Sequence, residues 1–243
     1  MRTGRTSHSA DPDVADVAAL IGDSARAAML LALLDGGALP ASELAYRGTA
    51  SPQAASAHLR KLVDGGLLAV TPSGRQRLYR LAKPEVGHAI EALLSIAAPP
   101  RIAALTQSLA AERLRTARTC YDHLAGRLGV AITDALVAKG ALHAAGSEFR
   151  VPPRGERFFG SLGIDVSGLR RGRRVLARRC MDWTERRPHL AGSLGMALLG
   201  RFIANHWLTR HARDRSVRVT EGGRWAMLRL FGVTTVPPQY TST

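Results

Sequence analysis

The chain has 243 residues and carries 34 Lys and Arg against 19 Asp and Glu, a formal charge of +15. Hydrophobic residues make up 46% and charged residues 22%, a globular balance that excludes wholesale disorder. The longest apolar run, Ala27 to Leu34, is far short of the roughly 20 residues that span a bilayer. Met1 to Asp13 is polar, so a secretory signal is not expected. Two cysteines fit a reducing, cytoplasmic setting better than a disulfide scaffold. The charge is uneven: residues 1–99 hold 10 basic and 9 acidic side chains, residues 100–243 hold 24 and 10. Such an excess suits nucleic acid, an acidic surface or an anionic ligand.

Residues 1–12 read as a tail. Val14 to Ile21 is apolar at helical spacing, Gly22-Asp23-Ser24 interrupts it, and Ser24 is the expected cap of a helix over Ala25 to Leu34. Gly36-Gly37 ends that helix. A short helix over Ala41 to Tyr46 and a turn at Gly48-Thr49-Ala50 follow. Ser51-Pro52 then opens a helix to about Asp64, Ser51 as cap and Pro52 at the first helical position. Leu67 to Thr71 and Leu78 to Leu81 read as strands flanking a polar hairpin from Pro72 to Arg77. Pro84 starts a helix to about Ala98, and Pro99-Pro100 is the expected domain boundary.

This order is helix, turn, helix, hairpin. The helix from Pro52 is about 20 Å long, enough to lie in a major groove. Ala55, Leu59 and Leu62 form its packing stripe. Ser51, Gln53, Ser56, Ala57, His58, Arg60 and Lys61 are left for DNA, with Gln53 suited to adenine and Ser56 to a base or phosphate. Arg75 and Arg77 at the hairpin tip suit phosphate or the minor groove.

The segments Leu20-Ile21-Gly22-Asp23-Ser24-Ala25-Arg26, Glu43-Leu44-Ala45, Ser51 to Leu62, Gly65-Gly66-Leu67-Leu68 and Gly74 to Leu81 together resemble the ArsR/SmtB family of winged-helix repressors. The resemblance covers about residues 13–97. It implies a homodimer built through the first and last helices of the domain, a palindromic double-stranded operator, and release by an inducer. It places Ser51, Gln53, Ser56 and His58 on the recognition helix and Arg75 and Arg77 on the wing. The metal sites of the family are not matched. Glu43-Leu44-Ala45-Tyr46-Arg47 lacks cysteines, and Glu85, His88 and Glu91, spaced three apart on one helical face, lack a histidine partner.

Beyond residue 100 the chain repeats itself. His123-Leu124-Ala125-Gly126-Arg127-Leu128-Gly129 returns as His189-Leu190-Ala191-Gly192-Ser193-Leu194-Gly195, each preceded by a Cys-x-Asp, Cys120 to Asp122 and Cys180 to Asp182. Two related winged-helix-like units are expected, 101–165 and 170–233, each with helices, a short strand and a closing helix. Cys120, His123, Cys180 and His189 are the right ligands in kind and number for tetrahedral zinc or another transition metal. On a helix Cys120 and His123 would lie one turn apart, whereas convergence with Cys180 and His189 depends on the fold. Packing of a duplicated unit, or a thiol role, would explain the same residues. The run Arg170-Arg171-Gly172-Arg173-Arg174 with Arg178 and Arg179 is expected along a helix, where Arg170, Arg174 and Arg178 share a face for phosphate, an anionic effector or solvent. Trp183, Trp207, Trp225, Phe158, Phe159 and Phe202 are core candidates. Ala191-Gly192-Ser193-Leu194-Gly195 looks like a nucleophile elbow, but the first copy has Arg127 in place of the serine and no strand is expected before it.

The sequence thus predicts a mainly α protein, not an enzyme. A winged helix-turn-helix over 13–98 binds DNA and dimerises, and a duplicated domain over 101–235 receives a small-molecule, metal or redox effector. The rival readings are a metal- or thiol-responsive sensor and a protein-interaction module.

Overall fold

The computed structural model describes residues 14–98, 105–211 and 214–235. The expected tail and the Pro99-Pro100 boundary lie outside them. Two compact units form, Met1–Leu33 with Gly37–Val86, and Leu34–Gly36 with Gly87–Thr243. The expected span 13–98 runs past that break. About half the chain is helical and several small sheets accompany the helices, so the strand content exceeds the mainly α expectation.

The first unit runs α1 (Val14–Ile21), α2 (Ser24–Ala32), β1 (Leu39–Pro40), α3 (Ala41–Arg47), α4 (Pro52–Asp64), β2 (Leu68–Ser73) and β3 (Gln76–Leu81). Its sheet has the antiparallel order β1-β3-β2. Met29, Leu30, Leu44, Leu59 and Leu62 are almost wholly buried, each contributing about 1.5–3 kcal/mol of apolar burial as an upper bound. Asp23, not Ser24, caps α2, its carboxylate accepting from the Arg26 amide at 2.9 Å. The Arg26 side chain turns back to close α1, donating to the Ala19 and Leu20 carbonyls at 2.7 Å each. This supplies partners to carbonyls that a helix end leaves open. The wing is tighter than expected: Ser73 pairs with Gln76, so only Gly74, with φ +59°, and Arg75 form the loop.

α5 (Pro84–Ile96) follows, and from Gly87 onward it belongs to the second unit. That unit continues with α6 (Leu105–Thr116), β4 (Arg118–Cys120), β5 (His123–Ala125), α7 (Gly126–Ala138), β6 (His143–Ala145), β7 (Glu148–Arg150), α8 (Pro153–Ser161) and α9 (Val166–Arg170). Then come β8 (Arg178–Met181), β9 (Pro188–Ala191), α10 (Gly192–Ala204), β10 (Leu208–Arg210), β11 (Val217–Val219) and α11 (Glu221–Phe231). A four-stranded sheet has the order β6-β7-β8-β9, and β4-β5 and β10-β11 form two-stranded ladders. A helix over Cys120 to His123 does not form. Each copy of the repeated motif instead opens on a hairpin, β4-β5 or β8-β9, that runs straight into α7 or α10.

The repeated glycines make that entry possible. Gly126 and Gly192 begin their helices at φ +76° and +83°, with carbonyls of Arg115 and Val175 2.7 and 2.6 Å from where a Cβ would sit. Gly129 and Gly195 lie against the Leu124 and Leu190 carbonyls, 2.6 and 2.5 Å from a Cβ position. A side chain at any of the four collides with backbone. The core beneath holds Phe159, Phe202, Leu136, Leu194 and Met227. Phe158, Phe202, Phe231 and Trp207 meet edge-on or tilted at centroid distances of 5.7–5.8 Å. Trp225 departs from the core expectation: it is 62% exposed, under the Arg229 guanidinium.

The arginine run is not helical either. Arg170 ends α9, Arg178 and Arg179 lie on β8, and irregular chain joins them. Arg170 pairs with Glu156 at 2.7 Å on the surface, Arg174 with Asp122, and Arg179 donates to the Gly146 carbonyl at 2.7 Å. Those three cations are used within the fold, so no shared helical face is available to an anion.

Candidate DNA-binding surface and a buried cysteine-histidine cluster

α4 keeps its expected stripe, with Ala55, Leu59 and Leu62 buried. Ser51 caps it, accepting from the Ala54 amide at 3.3 Å. Gln53, Ser56, Ala57, Arg60 and Lys61 are exposed, as are Arg75 and Arg77 on the wing. The surface therefore offers an amide, a hydroxyl and four cations, with Ala57 small enough for close approach. His58 differs from the rest. It is half-buried, with Nδ1 3.4 Å from the Arg26 guanidinium and 3.7 Å from Asp23. It braces α4 against the start of α2, a role the sequence did not signal.

In the second unit, Cys120 pairs with His123 across β4-β5, and Cys180 with His189 across β8-β9. Directly opposed residues project to the same face of a hairpin. Each hairpin thus presents one sulfur beside one imidazole, which resolves the nine-residue separation of Cys180 and His189. The two pairs meet: a ligand atom from each residue lies within 4.8 Å of every other. The sulfurs are 3.8 Å apart and the two Nε2 atoms 3.1 Å apart. Cys120, His123 and His189 are almost wholly buried.

Two aspartates stand behind the rings. His123 Nδ1 is 3.3 Å from Asp122 Oδ1, and His189 Nδ1 is 3.6 Å from Asp182 Oδ2. Arg174 grips Asp122 with two nitrogens. Arg118 donates to Asp182 at 2.9 Å, both side chains fully buried, with Trp183 stacked on the guanidinium. Asp182 also accepts from the Gly126 amide at 2.7 Å and from the Thr184 and Glu185 amides. Burial raises the Asp122 pKa, but the hydrogen bonds of His123 and Arg174 outweigh it and leave it at about 2. Asp182 likewise lies below the carboxylate range, burial being outweighed by Arg118 and Thr184. The hydrogen bond between the thiols, and burial, raise Cys120; that same bond, aided by both imidazoles, lowers Cys180. The roles of these aspartates and of Arg118 lie outside the sequence expectations. The available signal was a shared Arg-x-Cys-x-Asp spacing, Arg118 to Asp122 and Arg178 to Asp182.

The face expected on α5 is not open. Glu91 is buried and paired with Arg215, and burial, with nearby Arg178, lowers His88 to about 4. Ser193 does follow a strand, β9, contrary to expectation, but it is 6% exposed and its hydroxyl donates to the Leu176 carbonyl at 3.5 Å. No helix among the described residues is long and apolar enough to cross a membrane.

Residues 21–71 match the family model described as a helix-turn-helix domain. The HTH-type transcriptional regulator YdfF of Bacillus subtilis (strain 168) is 43% identical over 216 residues, 89% of this chain and 96% of that one. Among solved structures, reduced HlyU from Vibrio cholerae is 28% identical over 35% of this chain and 88% of its own, with a TM-score of 0.32. The homodimeric winged helix-turn-helix DNA-binding domain Mb0332 of Mycobacterium bovis, titled a possible ArsR-family regulator, is 26% identical over 36% and 87%, with a TM-score of 0.30. The protein is a DNA-binding transcriptional regulator. It belongs to the family of HTH-type transcriptional regulators that includes YdfF.

Proposed function

We propose that the protein is a homodimeric, cytoplasmic repressor that reads a palindromic operator through paired copies of α4 and the wing. One observation carries this reading: Gln53, Ser56, Ala57, Arg60 and Lys61, on the side of α4 away from its packing stripe, are exposed, and that side ends in cations. Gln53 and Ser56 read bases, Arg60 and Lys61 flank them, and Arg75 and Arg77 hold phosphates. His58 supports the helix. The dimer reading draws on α1, which buries no residue and exposes Val14 and Val17, and on Leu93 and Ile96 exposed near the end of α5. Uncovered apolar positions of that size are suited to a partner surface.

The basic second unit receives the effector. Its residues form two related units, each built as hairpin, helix, hairpin, helix, and the shared motif with its paired glycines supports a duplication. The test is selection of bound DNA from a random pool, followed by gel shift on the selected sequence. A palindrome with two half-sites about one helical turn apart is expected. A protein that docks other proteins through its winged helix would select nothing.

A further inference from the structure

Two hairpins whose cysteines lie 60 residues apart in the chain bring two sulfurs and two ring nitrogens to one buried point. We propose that Cys120, His123, Cys180 and His189 form a closed tetrahedral site for a divalent cation of the zinc class, fastening β4-β5 to β8-β9. The proposal is independent of the DNA-binding reading.

Geometry argues for it first. Zinc bonds sulfur at about 2.3 Å and imidazole nitrogen at about 2.0–2.1 Å. A regular tetrahedron with those bonds has edges of about 3.8 Å between sulfurs and about 3.3–3.4 Å between nitrogens. The side chains stand at 3.8 and 3.1 Å. Packing of small cysteines does not explain the convergence of four ligand atoms within 4.8 Å of one another.

Proton placement argues second. Read as a hydrogen bond, the contact between the Nε2 atoms requires one ring to carry its proton there. If neutral, that ring turns a bare Nδ1 lone pair toward its own aspartate. If charged, it adds a second cation to a carboxylate that already holds an arginine, Arg174 on Asp122 or Arg118 on Asp182. A metal accepts both Nε2 lone pairs and leaves each Nδ1–H facing a carboxylate, His123 toward Asp122 and His189 toward Asp182. His189 Nδ1 is buried without a hydrogen-bond partner in its protein surroundings, and Asp182 at 3.6 Å is the group it faces. A carboxylate behind each metal-binding imidazole fixes its tautomer and raises its basicity.

Charge argues third. Binding sends two protons of the cluster to solvent, and two thiolates then balance one dication, so a neutral group is buried. Four protein ligands, with Cys120, His123 and His189 almost wholly buried, fill the coordination of a structural centre. A disulfide is the rival use of the thiols, but it would leave the converging imidazoles only each other to bind.

The experiment uses the untagged full-length chain, first by elemental analysis, then stripped of metal and titrated with Co²⁺ under reductant. About one equivalent of zinc is expected as purified. Cobalt should give the strong visible bands of a tetrahedral ion with sulfur-to-metal charge transfer, bleached by zinc, with about two protons released per zinc. Cys180→Ser should lose much of the charge transfer, and Asp122→Asn should weaken zinc binding about 10–100-fold. If those variants fail to fold, the wild-type measurements still decide. Arg75→Ala with Arg77→Ala should keep the metal, which separates failure of this site from failure of DNA binding. Substoichiometric zinc with a weak octahedral cobalt spectrum overturns the proposal. So does a Cys120–Cys180 disulfide that persists when zinc and reductant are supplied.

Discussion

Single residues in the second unit carry more than their size suggests. Asp182 accepts from Arg118 and from three backbone amides in the interior. Asp182→Ala therefore strands a buried guanidinium, and chemical denaturation should show a loss of about 3–5 kcal/mol. The acid side of the stability profile follows from the same chemistry. Asp122 ionises at about 2 when folded, below the ordinary 3.8, so the native state binds fewer protons than the unfolded chain between those values. The stability it contributes is complete above the ordinary value and drains away as pH falls toward the folded one. Asp122→Asn should flatten that acid limb in melts run from pH 5 downward. Glycines give a matched contrast. Gly192→Ala places a Cβ 2.6 Å from the Val175 carbonyl at φ +83°, and should cost at least about 1–2 kcal/mol. Gly200→Ala, in the exposed middle of α10 with open space around it, should gain about 0.5–1 kcal/mol.

At the scale of elements, α4 and the wing act differently on DNA. Arg75→Ala with Arg77→Ala should weaken binding on every sequence and reduce the salt slope by about two, because phosphate contacts release counterions without reading bases. Gln53→Ala should relax preference at one base step and leave the slope unchanged. Titrations at several salt concentrations separate the two. These elements were legible because their signals are local: Ser51-Pro52 starts α4, the Gly65-Gly66 pair ends it, and alternating residues mark the wing. The hairpins that carry the cysteines were not. Tyr121, between β4 and β5, and Arg186, between β8 and β9, both have positive φ where sequence rules anticipate glycine. With strands of three or four residues and no glycine at the turn, a helical reading had nothing to oppose it. The ligand set itself was readable from residue types. Its convergence was not, because it depends on cross-strand register and on two segments meeting over a long separation. Arg26 and His58 were missed for the same reason, their roles arising from packing between helices.

For the whole molecule, symmetry would make the regulator more than a single winged helix. Val14→Glu with Ile96→Glu places charge on positions 74% and 80% exposed, so the fold should keep its melting temperature. Light scattering should nevertheless report a monomer, and affinity for a two-site operator should fall to that of one half-site. Unchanged mass would remove α1 and α5 from the interface. The placement of the cysteine-histidine pairs has a further consequence, this one for synthesis. While the ribosome covers the 60 positions from the first thiol to the second, the nascent polypeptide owns half a cluster. A message broken in that interval yields a thiol and an imidazole with no counterpart.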